Sequence, residues 1–314
     1  MYWLYETLCF KFGGQSCGCR PENGSPMENI SHLNHPICRP WEIEIYPYLY
    51  NHHLEGKAVF PAVEVLITLA KAVQINFPEA DINSLTDAYF QRFLAIPPDT
   101  KVLAASVGIE DGESGITARL LSSVKSKTGN INRTVEHARV KFAGITVNQL
   151  PADPFRALEK LEGECINVPA TTIYLELVPF GAAYQNIIGD LSVSRSGALA
   201  YLSGGDTEAD DDLLGSPFPF DAVLHAACVW AQRFTGVVPF PVGFVKRTIY
   251  HKTKKRGTYL GRIVPVEFTR EPFIFNAWIH DLQGDVCEVI EGIQMRDVSR
   301  GRMKPPDWIK ASAS

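Results

Sequence analysis

The sequence predicts an α+β protein in two halves, each an antiparallel sheet wrapped around one buried helix. Three observations predict it. Two apolar segments of helical length, Pro61–Gln74 (PAVEVLITLAKAVQ) and Asp221–Phe234 (DAVLHAACVWAQRF), stand far apart in the chain. Each is followed by a series of β-rich segments separated by turn signals. A polar stretch holding two prolines, residues 146–165, divides the two series.

Taken in order, residues 1–37 include GGQSCGCRPENGSP and read as a poorly structured tail, with Met27 as the expected start. The first half covers 38–150. Within it, WEIEIYPYL (Trp41–Leu49) partly alternates and predicts a strand leading into the loop NHHLEGKAVFP (51–61). The first helix has Pro61 in its first turn and stops before Asn76 and Pro78. Strands are expected near 82–96, 101–109, 115–124 and 134–145, with DGESG and KTGN as turns. The second half, 151–302, opens with a short β or turn region around IYLELVPFGAAYQNIIGDLSVSRSGALAYL. An acidic stretch, Asp206–Asp212, reads as a solvated loop before the second helix, and four strands follow: VKRTIYHKT, TYLGRIVPVEFT, FIFNAWIHD and VCEVIEGIQMRDV. Residues 303–314 form a C-terminal tail. No residue-level repeat is visible, so the duplication rests on element order alone.

At 314 residues, with 46% hydrophobic and 21% charged residues, the chain can bury a substantial core and belongs with globular proteins. A net charge of −5 argues against nucleic acid as the main partner, because phosphate binding needs a basic face. No apolar run is long enough to span a bilayer and no secretory signal is visible, so a cytoplasmic protein without membrane attachment is expected. Seven cysteines (Cys9, Cys17, Cys19, Cys38, Cys165, Cys228, Cys287) are odd in number and scattered, which fits reduced thiols. Cys17, Cys19 and Cys9 lack the CxxC pair or nearby histidine of a tetrahedral metal site. There is no GxGxxG, P-loop, HExxH or GxSxG.

His52, Gly56 and Pro61 fit HxxxGxxxxP, and Asp221 with His225 fits DxxxQ/H. In this order the two motifs resemble those of the dehydratase domains of polyketide synthases, which are double-hotdog proteins. Between them, VPFGAAYQNI (Val178–Ile187) is similar to the family's YGPxF segment, with Phe180 in place of the tyrosine, Gly181 kept, Ala182 in place of the proline and Tyr184 in place of the phenylalanine. LTDAYFQRFLAIPPD and VPFPVGFVKRTIY also match the family in position, so the resemblance covers roughly residues 38–300. It implies removal of water from a 3-hydroxyacyl thioester to give a trans-2-enoyl thioester, with His52 and Asp221 as catalytic residues. Gly56, Pro61, Phe180, Gly181, Tyr184 and His225 would contact or support the substrate. No metal or organic cofactor is implied. The acyl group would ride on the phosphopantetheine of an acyl carrier protein.

The chemistry agrees with this. Dehydration needs a base at the carbon beside the carbonyl and an acid at the departing hydroxyl. A histidine near its ordinary pKa of about 6.5 is substantially neutral at pH 7 and can take the proton. A carboxyl must be held protonated by a buried setting, which the apolar helix around Asp221 offers. The amino end of the first helix, with its unpaired N–H groups and positive dipole end, would polarise the thioester carbonyl, and the Gly56 turn would let backbone approach closely. His53 should face away from His52, as neighbours on an extended segment do.

Simpler readings compete. An HH pair in a loop can be a solvated feature, Asp221 can be a helix N-cap, and His225 can be an ordinary contact one turn further on. Lys246, Arg247, Lys252, Lys254, Lys255 and Arg256 form a cationic strand and turn, either a solvated hairpin end or a docking patch for an acidic carrier protein. Two other functions share the motifs: a product-template-like domain that guides polyketone cyclisation, and a non-catalytic acyl-binding subunit. A double hotdog already contains its own pseudo-dimer, so a further dimer is compatible but not required.

Overall fold

The computed structural model describes residues 37–125, 132–143, 160–206 and 213–311, all within one compact unit, Asn34–Ser314. The N-terminal tail, the Cys9–Cys17–Cys19 group, the KTGN turn, most of the linker around residue 150 and most of the acidic stretch lie outside the described residues.

Alternating apolar side chains make β1 (Ile37–Glu44), which leads through a short 3₁₀ turn (Pro47–Asn51) into a hairpin of β2 (His53–Leu54) and β3 (Lys57–Ala58). Helix α1 (Ala62–Asn76) follows, with Pro61 as its N-cap. Val63, Leu66, Leu69, Ala70 and Val73 recur at helical spacing and are buried together. Then come β4 (Ser84–Phe90), β5 (Val102–Gly112), β6 (Gly115–Lys125) and β7 (Asn132–Phe142). The rear half runs β8 (Ile166–Pro169), a single turn α2 (Ala170–Thr172) merging into a π-helical turn (Ile173–Leu177), then β9 (Ile187–Ser194) and β10 (Gly197–Ser203). Helix α3 (Pro217–Thr235) precedes β11 (Phe240–Ile249), β12 (Thr258–Glu267), β13 (Phe273–His280) and β14 (Val286–Arg296).

The sequence predicts two separate sheets, whereas the main strands form one antiparallel twelve-stranded sheet, ordered β1-β5-β6-β7-β4-β11-β14-β13-β12-β10-β9-β8. The halves fuse where β4 pairs with β11, in the register Leu85↔Arg247 and Tyr89↔Gly243. At this seam a Cβ on Gly243 would lie 2.2 Å from the Ala88 carbonyl oxygen, so only glycine lets the backbones approach. Helix α1 packs on β5, β6 and β7, helix α3 packs on β9, β10, β12 and β13, and the two helices touch each other. One helix on each half of the sheet is thus as expected. No helix among the described residues is long and apolar enough to cross a membrane, and Cys38, Cys165, Cys228 and Cys287 are free.

Helix α3 starts four residues earlier than its sequence pattern predicts. Pro217 occupies the first turn, where its missing N–H costs nothing, and Ser216 is the N-cap, its Oγ accepting from Phe218 N at 3.4 Å and donating to the Gly204 carbonyl at 2.6 Å. Asp221 is therefore not a cap; it lies inside the helix and is buried, 4% exposed. Ser216→Ala should cost about 1 kcal/mol in chemical denaturation.

Candidate active site

The chain brings His52 to the site by folding the loop back on itself. Glu55 (φ 49°) and Gly56 (φ 74°) form the two-residue connection between β2 and β3, the left-handed pair of a type I′ hairpin turn, which favours glycine. Four residues from His52 to Gly56 and three back to Val59 set these two residues opposite each other. Val59 N donates to the His52 carbonyl at 2.9 Å, and the His52 ring returns a bond from Nδ1 to the Val59 carbonyl at 3.0 Å. A carbonyl only accepts, so Nδ1 carries the ring proton and the Nε2 lone pair is left for other use. Gly56 itself is at the exposed tip, with no atom within 4 Å of the place a Cβ would occupy. Its conformational freedom, rather than a close approach of backbone, explains its place in the motif.

The His52 ring is half-buried, packed 4.4 Å from the Phe180 ring and 5.1 Å from the Tyr184 ring. Desolvation lowers its pKa to about 4, against the opposing pull of the Asp221 charge. The His52 imidazole is accordingly neutral throughout the physiological range. His53 lies on β2, and its ring too reaches Phe180, edge-on at 6.2 Å.

The rear half supplies the facing wall. Phe180 stands between the two halves, its other neighbour being the His225 ring at 5.0 Å. Residues Asp221 and His225 are one turn apart on α3 and both 4% exposed, with Asp221 Oδ2 2.9 Å from His225 Nε2. That contact is close but off the hydrogen-bond direction, and neither atom makes a hydrogen bond among the described residues. The Tyr184 hydroxyl is likewise buried and, among the described residues, without a hydrogen-bond partner; burial, then the charge of Glu64, holds its phenol well above the ordinary tyrosine range. In this pocket of aromatic rings position 180 is a phenylalanine and position 184 carries the phenol.

Asn51, the residue before His52, holds the two walls together. Its carbonyl accepts from Gly181 N at 2.8 Å, and its side-chain Oδ1 accepts from Ala183 N at 3.3 Å. A Cβ on Gly181 would fall 2.5 Å from that Oδ1, so glycine is required there by space rather than by backbone angle. Pro61 is buried and its carbonyl receives Val65 N, starting α1 close behind the hairpin.

Three participants are not marked by the sequence motifs. Glu64, in the first turn of α1, accepts from the Tyr48 hydroxyl at 2.9 Å. The Tyr48 ring packs on Tyr184 (6.2 Å) and Phe218 (6.0 Å). Tyr174 lies behind His225, 3.4 Å from its Nδ1. A cleft of about 690 Å³ is lined by Tyr48, Asn51, Ala183, Asn186, Ser203 and Arg256. A second, of about 210 Å³, reaches Tyr48, Glu64 and Phe218. Neither of these two is lined by His52 or Asp221.

The cationic run does not stay together. Arg247 is buried, 2% exposed, paired with Glu288 at 2.8 Å and set 4.6 Å above the Phe220 ring. It cannot serve a docking surface, because alternation along β11 turns it inward while Lys246 lies opposite Glu291. Lys252, Lys254 and Arg256 are exposed, Lys255 is half-buried, and Arg256 pairs with Asp206 at 2.9 Å. Among the described residues no group of His, Cys, Asp or Glu is arranged to hold a metal ion.

No protein-family profile matches the chain, and no curated protein matches it. Solved structures do. The dehydratase domain from the CurJ module of curacin polyketide synthase is 16% identical, with a TM-score of 0.65 over 83% of this chain and 91% of that one. The pyran synthase domain from module nine of the sorangicin pathway is 19% identical, with a TM-score of 0.63 over 85% and 96%. The dehydratase domain of PpsC from Mycobacterium tuberculosis, in complex with C12:1-CoA, is 17% identical, with a TM-score of 0.61 over 82% and 93%. Nearly the full length of each is matched, and the chain has the fold of the polyketide synthase dehydratase domains.

Proposed function

We propose that the protein is a dehydratase of 3-hydroxyacyl thioesters, a hydro-lyase of polyketide or fatty-acid-like biosynthesis. The observation that carries this is a neutral imidazole with a free Nε2, facing a buried Asp–His pair across a single aromatic ring. His52 Nε2 takes a proton from C2. The electron pair forms the C2–C3 double bond, and the C3–O bond breaks as Asp221, in its carboxylic acid form, protonates the leaving hydroxyl. Water departs, and the proton on His52 returns to Asp221. An imidazolium with a pKa near 4 gives up its proton readily, which favours this reset. The amino end of α1 is assigned to the thioester carbonyl.

The acyl group is delivered by a carrier protein. Lys252, Lys254 and Arg256 form the basic rim it would meet, and the larger cleft beside Arg256, with the amide and hydroxyl groups of Asn51, Asn186 and Ser203, suits the amide-rich phosphopantetheine arm. From there the acyl chain must pass Tyr48 and Tyr184 to reach His52.

The test is incubation with 3-hydroxyacyl thioesters, followed by enoyl absorbance and mass loss of one water; substrate returned intact, with no deuterium gained at C2 in heavy water, overturns the proposal. A cyclase is the second reading, favoured by the likeness to the sorangicin pyran synthase domain. It predicts a cyclic product from substrates with a distal hydroxyl, without lasting enoyl absorbance. The pH profile is a further check. The base must be unprotonated, and activity is lost as pH falls through its folded pKa. The acid limb of kcat/KM assigned to His52 should therefore lie at about 4 or lower instead of the ordinary 6.5, because Asp221 in its acid form no longer pulls it upward, leaving that limb flat from roughly pH 7 to 5.

A further inference from the structure

We propose that Tyr174 is a positioning residue for the acid: through a hydrogen bond it holds His225 in the tautomer that carries its proton on Nε2, and so aims Asp221. The inference rests on the acid role given to Asp221 above.

Tyr174 belongs to the π-helical turn Ile173–Leu177, closed by Val178 N donating to the Ile173 carbonyl at 2.8 Å. Such turns are rare and frequently lie at functional sites. Here the turn points the Tyr174 ring, 6% exposed, edge-on at His225 with centroids 5.8 Å apart. The hydroxyl oxygen already accepts from Ile187 N at 2.9 Å. Its own proton is left to find an acceptor, and His225 Nδ1 stands 3.4 Å away. Burial keeps the phenol protonated by moving its pKa above the ordinary range.

The tautomer follows by elimination. A neutral imidazole has one N–H and one lone pair, and the nitrogen facing a hydroxyl donor must present the lone pair. Nδ1 therefore accepts from Tyr174, and the proton sits on Nε2, which is the nitrogen 2.9 Å from Asp221 Oδ2. A modest rotation of the ring brings that N–H into line, the kind of tightening expected when substrate binds. Oδ2 is then committed to accepting, which leaves Oδ1 to carry the proton delivered to the departing hydroxyl. As that proton leaves, the Nε2–H is in place to stabilise the carboxylate that forms.

Nitrogen-15 NMR of the imidazoles in the free protein tests this without substrate, with His225 identified by the signals missing in His225→Gln. The expected result is a neutral Nε2–H tautomer in the wild type and a shift towards mixed tautomers in Tyr174→Phe. An Nδ1–H tautomer in the wild type, or an unchanged His225 signal in Tyr174→Phe, overturns the proposal. Kinetics supply the second arm. Tyr174→Phe should lower kcat roughly tenfold with KM little changed, and should have no further effect in a His225→Gln background, because an amide has no tautomers. The lost bond to Ile187 N is common to both backgrounds, so a merely structural role would lower both equally and would sink the inference. If Tyr174→Phe fails to fold, the wild-type tautomer alone decides. Absence of turnover by the wild type would count against the dehydratase reading, while the NMR result would stand on its own.

Discussion

His52→Ala and Asp221→Asn are each expected to reduce kcat/KM for a 3-hydroxyacyl thioester by about 10²–10⁴, the usual contribution of a positioned acid or base. The two substitutions fail for different reasons. Alanine at 52 removes the imidazole whose Nε2 is freed by the bond from Nδ1 to Val59, and leaves no other base at that position. Asparagine at 221 keeps the volume and the contact with His225 but has no acidic proton. Since the proposed mechanism places both groups on one transition state, the double variant should be little worse than either single one. The check is steady-state kinetics beside thermal melts, so that activity is compared between folded proteins. Wild-type turnover in either variant would remove that residue from the mechanism.

The second large effect concerns stability. Arg247→Ala should destabilise the protein by about 3–5 kcal/mol, because it leaves the Glu288 carboxylate, 0% exposed, without its countercharge. For a unit of this size that is a fall in melting temperature of roughly 5–9 °C. Burial already pushes the Glu288 carboxyl upward, and the Arg247 guanidinium opposes it. Removing both charges, as in Arg247→Met with Glu288→Leu, should recover most of the loss, since an apolar pair of similar volume avoids the cost of desolvating two ions. Equal melting temperatures for the single variant and the wild type would show that the pair is not structural. Activity should also fall in the single variant, because the Arg247 guanidinium lies on the Phe220 ring, next to Asp221 in α3.

What the sequence could tell about the site depended on whether the deciding contact was local. The His52 motif is readable because hairpin geometry ties residues 52, 56 and 59 together within one loop. Asp221 and His225 are readable because one helical turn separates them. The start of α3 is misread because Pro217 and Pro219 look like breakers, although a first-turn proline costs no hydrogen bond. Arg247 looks like a surface cation because its partner, Glu288, is 41 residues away on β14. Tyr174 carries no local signal, since its bond to His225 spans 51 residues. The two expected sheets are one for the same reason: the β4–β11 register is set by packing between distant strands.

The grip of Asn51 on Gly181 and Ala183 has a consequence for anyone recombining such chains. Asn51 and Gly181 take no part in the proton transfers assigned above, yet their contact ties the wall that carries His52 to the wall that carries Phe180. A chimaera that takes its front half from one parent and its rear half from another would inherit the imidazole and the carboxyl intact and still hold them at the wrong separation. Asparagine and glycine at this latch would have to be exchanged as a matched pair.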